Sequence, residues 1–199
     1  MNLRIVRIGL WVLVGLAAIA GLVIALRPPQ ALPQATQTPM AAIGGPFTLT
    51  GTDGKPFPST RLTGKPFAIF FGFTHCPDVC PNTLARLARF RRTIGKGDAA
   101  FAILFVSVDP ARDTPTEMGH YAGAFGTPIV ALTGTEAAIA QVKQSYGIYS
   151  AKVPQAGADY SVDHTATIFL MDAGGEFVAT ITPDEGDPAA LAKLRSLTG

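Results

Sequence analysis

Two sulfur atoms define the chemistry open to this chain. Cys76 and Cys80 are its two cysteines, and they stand four residues apart in the string Gly72-Phe-Thr-His-Cys76-Pro-Asp-Val-Cys80-Pro81. Thiolates so placed can close a disulfide or grip a soft metal ion, since the deprotonated sulfur is both nucleophile and ligand. Residues i and i+4 share a face of a helix, so Cys80 on a first helical turn comes back toward Cys76 just before it. Free N–H groups and the positive end of the helix dipole there favour thiolate over thiol. Pro77 and Pro81 stiffen the loop, and Pro81 falls where a helix can begin without another donor. A purely structural disulfide is the competing reading. So short a loop restrains little unfolded-chain entropy, and a domain of this size needs no staple.

A loop of this kind needs rigid elements on either side. The apolar run Phe67 to Phe73, rich in aromatic residues, reads as a strand buried on both faces and leads directly into the cysteines. After Pro81, Leu84, Leu87, Ala88 and Arg91 recur at helical spacing up to Gly95. Phe101 to Val108 is a second buried strand, Thr116 to Phe125 a helix, Ile129 to Leu132 a short strand and Glu136 to Tyr146 a helix. Strands alternating with helices imply right-handed crossovers and a parallel sheet core. The rhythm then changes: Thr165 to Met171 and Phe177 to Ile181 read as a hairpin through Asp172-Ala-Gly-Gly175, followed by a helix from Pro188 to Leu197. Ahead of everything, Phe47 to Thr50 and Lys55 to Phe57 flank Asp53-Gly54, a hairpin turn signal. A βαβ half, a ββα half and a cysteine loop after the first core strand make an α/β, thioredoxin-like fold with an N-terminal hairpin extension.

The remaining chain reads as attachment. Ile8 to Leu26 is uncharged, and at ~1.5 Å per residue a helix of about 19 residues spans the ~30 Å hydrocarbon layer. Arg4 and Arg7 precede it and Arg27 alone follows before Pro28-Pro29, so the positive-inside rule puts the rest of the chain outside the cytoplasm. A cleaved signal peptide is the rival, but its apolar region is usually about 7–15 residues with a small-residue cleavage site. The expected organisation is therefore an anchor over residues 1–27, a Pro-rich tether over 28–42 and one domain over 43–199. A net charge of +2 gives no reason to expect a nucleic-acid partner. The local cluster Arg86, Arg89, Arg91 and Arg92 reads as a solvated helix face.

Three strings together go further than the cysteine spacing. The cysteine loop, Val106-Ser-Val-Asp109-Pro-Ala-Arg-Asp113-Thr-Pro115 and Val162-Asp163-His164-Thr165 occur in that order behind an apolar segment. In this the chain resembles the Sco/SenC family of copper-binding proteins that assist cytochrome c oxidase assembly, from about Phe47 to the C-terminus. The resemblance implies copper as the ion, Cys76, Cys80 and His164 as its ligands, and Cys76 and Cys80 as a redox dithiol. It further implies a copper donor protein, the copper-bearing oxidase subunit as recipient, and a membrane-anchored domain in the periplasm. The donor chemistry agrees: two thiolates and an imidazole suit three-coordinate Cu(I), whereas zinc usually asks for a fourth ligand.

Neighbouring residues carry open alternatives. His75 adjoins Cys76 and either reaches the metal or points away, and His120 on a helix reads as surface. Asp78 holds the turn or meets a partner. Asp109 and Asp113 are turn and helix-start residues or shape the site, and Asp163 orients His164 or offers an oxygen. Two functions compete: a metallochaperone delivering copper to the binuclear copper site of cytochrome c oxidase, and a thiol–disulfide oxidoreductase that reduces the cysteines of that site. A peroxiredoxin-like peroxidase is disfavoured by the spacing of Thr74 to Cys76.

Overall fold

Unbroken apolar runs demand cover on both faces, and the centre of the sheet provides it. The computed structural model describes residues 43–155 and 159–199, with Arg4, Arg7, Trp11, Gly15 and Leu16 as isolated helical positions. The chain divides into two units, Met1–Met40 and Ala41–Gly199. The second contains, in order, β1 (Thr48–Gly51), β2 (Pro56–Pro58), β3 (Phe67–Gly72), α1 (Val79–Ile94), β4 (Ala102–Ser107), α2 (Pro115–Gly123) and β5 (Val130–Thr133). It continues with α3 (Glu136–Ser145), β6 (Ser150–Pro154), β7 (Tyr160–His164), β8 (Ile168–Met171), β9 (Phe177–Ile181) and α4 (Asp187–Thr198). The seven-stranded sheet has the order β2-β1-β5-β4-β3-β8-β9. β3 runs parallel to β4 from Phe67↔Ala102 to Gly72↔Ser107, and every residue of both strands is buried. β5 is parallel to β4, while β8 and β9 add antiparallel on the other side. The entrance hairpin β1–β2 joins the sheet through β1 antiparallel to β5.

The thioredoxin-like arrangement expected from the sequence is present. α1 buries Cys80, Leu84, Leu87, Ala88 and Arg91, spaced by whole turns so that one stripe faces the sheet. Each fully buried leucine there contributes about 1.5–3 kcal/mol. The helix stops at Gly95, whose φ of 81° is the left-handed cap that glycine adopts without penalty.

Two expectations are corrected, and one element appears that the sequence reading did not contain. The arginine cluster is a solvated face only in part: Arg89 and Arg92 are exposed, Arg86 is half-buried and Arg91 is buried. Arg91 is 2% exposed and pairs with Asp98 at 3.1 Å, and Arg86 and Arg89 both bind Asp187 at the start of α4, at 2.8 and 2.6 Å. The new element is a hairpin over residues 150–164, β6–β7, which pairs with no strand of the main sheet. Its strands are half-exposed and carry one buried apolar residue, Val162, too little to leave a periodic signal. The second correction is that β8 begins at Ile168, so His164 closes β7 and does not open the core strand. The anchor and tether expected before residue 43 lie outside the described residues apart from the helical positions named above. Among the described residues no helix is long and apolar enough to cross a membrane.

Candidate metal centre

Core packing fixes where the first sulfur sits. β3 ends at Gly72, and a Cβ built there would lie 2.7 Å from Cys80 Sγ and 2.8 Å from the Phe105 ring. Only glycine lets the strand pass so close to the first turn of α1. Cys80 is consequently fully buried, while Cys76 in the preceding loop is partly exposed. The N-terminal turn of α1 points a donor at the outer sulfur: the Cys80 N–H donates to Cys76 Sγ at 3.3 Å.

The third group arrives from the β6–β7 hairpin. His164 Nε2 lies 3.6 Å from Cys80 Sγ. Its Nδ1 lies 3.1 Å from the Thr165 carbonyl, which can only accept, so Nδ1 carries the proton and Nε2 presents its lone pair to the sulfurs. The ring stands edge-on to Phe70 and Phe73, with centroids 6.0 and 5.8 Å away. Sulfurs and imidazole nitrogen all lie within 4.8 Å of one another, and Cys76, Cys80 and His164 are the group of this kind among the described residues. Small rotations bring such a triangle to bonding distance of one ion, about 2.0–2.3 Å for nitrogen and sulfur ligands.

Charge is divided unequally between the sulfurs. The hydrogen bond from the Cys80 side chain is the largest influence on Cys76 and lowers its pKa to about 4; partial burial opposes this, and the N–H groups of Cys80 and Asp78 assist. The same hydrogen bond, together with burial, pushes the Cys80 thiol up. At neutral pH one proton is held between the two sulfurs, on Cys80.

A buried carboxylate supports the cysteine loop from below. Asp113 accepts from the Thr74 N–H at 3.2 Å, from Thr74 Oγ1 at 2.6 Å and from Ser107 Oγ at 2.6 Å. It is fully buried, and burial raises its pKa against the effect of those donors. Asp113 therefore does more than open a helix: the N-cap of α2 is Thr114, which accepts from the Glu117 N–H. Asp109 is likewise fully buried, although its carbonyl does form the expected turn with the N–H of Asp113 at 3.0 Å.

The other histidines stand apart. His75 turns to Thr74 Oγ1 at 3.1 Å and lies 3.9 Å from Asp113, outside the donor triangle, and His120 is exposed on α2. Asp78 keeps the turn, accepting from the Asn82 side chain. Asp163 is exposed, because period-two alternation turns it away from the face that carries His164; the Thr165 carbonyl orients the imidazole in its place.

The SCO1/SenC family model matches residues 35–199. The chain belongs to the SCO1/SenC family. Among relatives of this SCO1/SenC domain, the mitochondrial SCO1 homolog 1 of Arabidopsis thaliana is 38% identical over 139 residues, 69% of this chain and 42% of that protein. The chain spans about half the length of the curated relatives it matches. The structure of Bradyrhizobium japonicum ScoI with copper bound is 46% identical and superposes with a TM-score of 0.71, covering 78% of this chain and 99% of that one. Yeast Sco1 with copper bound is 34% identical, with a TM-score of 0.71, 78% of this chain and 87% of that one.

The sequence left several supports of the site unremarked. Gly72 was visible as a glycine closing an aromatic strand. Arg112 stood inside the Asp109-Pro-Ala-Arg-Asp113 string, and Tyr160 lay in a stretch without a periodic signal.

Proposed function

We propose that this protein binds copper through Cys76 Sγ, Cys80 Sγ and His164 Nε2 and delivers it to the binuclear copper site of cytochrome c oxidase during assembly. The observation that carries this reading is the convergence of two sulfurs and an imidazole nitrogen within 4.8 Å. The donor set fits a soft monovalent ion: two thiolates and one imidazole complete a three-coordinate Cu(I) site, while a structural zinc site would lack its fourth ligand. Gripping copper with both sulfurs requires Cys80 to release its proton. Copper in the related bacterial and yeast structures supports the same cargo here.

A specific observation also favours dithiol chemistry. A thiolate at Cys76 beside a protonated Cys80 is the arrangement a disulfide reductase needs. Cys76 Sγ attacks one sulfur of a target disulfide and expels the other as thiolate. Cys80 then gives up its proton to that thiolate and attacks Cys76 Sγ, which releases the second target sulfur. The target gains two electrons and this chain ends as the Cys76–Cys80 disulfide. The two roles are successive uses of one pair, since sulfurs bonded to each other cannot both serve as thiolate ligands.

Anaerobic reconstitution of the reduced chain with Cu(I) is expected to give one copper per chain, and the disulfide form is expected to bind poorly until reduced. Undiminished stoichiometric binding by fully oxidised protein, with its oxidation state checked by mass, would remove the dithiolate from the site.

The proposed setting is the outer face of a membrane, with residues 1–27 as an uncleaved anchor, the domain in the periplasm, and a copper donor and the oxidase subunit as partners at the same surface. It is supported by Arg4 and Arg7 ahead of the uncharged run. A reporter active only outside the cytoplasm, fused after Gly199, is expected to be active while the protein resists extraction at high pH. Release as a shortened soluble chain would identify a cleaved signal instead.

A further inference from the structure

β6 and β7 pair only with each other among the described strands, and an isolated two-stranded hairpin is marginal in water. Yet the last residue of β7 keeps its Nε2 3.6 Å from Cys80 Sγ. Something outside the hairpin ladder must hold it.

Alternation along β7 puts Tyr160, Val162 and His164 on one face, and the first of these meets a buried charge. Tyr160 Oη donates to Asp109 Oδ1 at 2.8 Å, and Arg112 Nε donates to Asp109 Oδ2 at 2.6 Å. The Arg112 guanidinium lies 3.8 Å over the Tyr160 ring. It also donates to the Tyr160 carbonyl at 2.9 Å and to Asp159 Oδ1 at 3.0 Å. Lys152 Nζ, from β6, lies 4.6 Å from the centroid of the same Tyr160 ring and 4.0 Å from Asp109 Oδ1. Asp109 itself is anchored to the sheet: its N–H donates to Ser107 Oγ, on the last residue of β4, at 3.0 Å.

A planar guanidinium that both pairs with a carboxylate and stacks on an aromatic ring is a rigid connector, which a lysine cannot imitate. Arg112 reaches the site by a second route as well, 5.8 Å over the Phe73 ring, which stands edge-on to His164.

We propose that Asp109, Arg112 and Tyr160 clamp the β6–β7 hairpin to the loop between β4 and α2 and so fix His164 at the cysteine pair, making Arg112 and Tyr160 positioning residues for copper. The inference rests on the reading of His164 as a ligand. The loop between β4 and α2 thus serves both arms of the site: Asp113 holds the cysteine loop and Asp109 holds the histidine hairpin.

Tyr160→Phe removes one hydroxyl and leaves the ring under Arg112; Arg112→Lys keeps the charge and removes the paired geometry. Each is tested in the full reduced chain, alone and combined with His164→Ala, by competition for Cu(I) with a chromophoric chelator. The His164 ring resonances are followed in the copper-free protein. Tyr160→Phe is expected to lose about tenfold in Cu(I) affinity, the usual scale for groups that orient a ligand, and Arg112→Lys at least as much. Neither is expected to cause a further loss when His164 is already alanine, because the clamp acts only through that side chain. Both should displace the His164 ring resonances, because that ring packs against Phe70 and Phe73. An equal fold-loss in the two backgrounds would overturn the proposal in favour of a general effect on stability, and so would an unmoved His164 ring in the copper-free variants. Wild-type affinity in His164→Ala alone would defeat the ligand reading, and the copper-free ring resonances would still decide the clamp.

Discussion

His164→Ala is expected to lower Cu(I) affinity by more than about a hundredfold, since removal of a ligand exceeds the ~10–100-fold typical of a supporting group, and to abolish the native Cu(II) spectrum. Thiol exchange by the same variant is expected to continue, because Cys76 and Cys80 face each other directly and the largest influence on Cys76 comes from Cys80. The two proposed roles are thereby separated in one chain. In cells without the wild-type gene this variant should fail to assemble oxidase at low copper, although its dithiol still cycles. Asp163→Asn, on the outer face of β7, is expected to leave copper binding unchanged. Normal oxidase assembly and wild-type copper affinity in His164→Ala would make the reductase the better account.

Alkylation of the reduced, copper-free protein is expected to modify Cys76 at a rate almost independent of pH between about 8 and 5, falling only as the pH approaches about 4. An ordinary thiol, with a pKa of about 8.5, slows roughly tenfold for each unit over that range, as its thiolate fraction does. The sign follows from the depressed pKa: the anion is the stable form above about 4 and is lost by protonation below it. The absolute rate is a poorer readout, because nucleophilicity falls with pKa and offsets part of the gain in thiolate. Cys80, with its pKa raised and its sulfur fully buried, should remain unmodified throughout. Mass spectrometry of peptides after a timed pulse at each pH separates the two sulfurs. A Cys76 profile that falls tenfold per unit below pH 8 would show that Cys76 carries a proton of its own at neutral pH and is not the standing thiolate.

Much of the centre of this fold was legible because its strands are continuous apolar runs and its first helix carries a regular stripe. Phe67 to Phe73 and Phe101 to Val108 were read within one residue or so of β3 and β4. The hairpin that presents His164 was invisible for the opposite reason. Ser150 to Pro154 and Tyr160 to His164 bury almost nothing apolar, and side-chain hydrogen bonds such as that from Tyr160 to Asp109 have no sequence period. Helical spacing similarly disclosed that Arg91 shares a face with Leu84 and Leu87, but not that the face was buried. The partners Asp98 and the Pro128 carbonyl, 3.1 and 2.8 Å away, together with Thr127 Oγ1 and the Phe101 carbonyl, make a guanidinium tolerable there. Asp109 and Asp113 looked like turn residues since a turn is what their neighbours in sequence require. Their burial depends on β4, the cysteine loop and β7 meeting above them.

Gly72 places the Cys80 sulfur against backbone and the Phe105 ring, and this gives the centre a front and a back. An incoming protein can touch the partly exposed Cys76 and cannot reach Cys80 from behind. Traffic through the site therefore has an order. In the proposed delivery the outer sulfur would be the first to engage a donor's cargo and the first to surrender it, and the inner one the last contact to break. In the proposed reductase role a mixed disulfide would form at Cys76 for the same steric reason, so both kinds of exchange would pass through one door and two visitors could not be served at once.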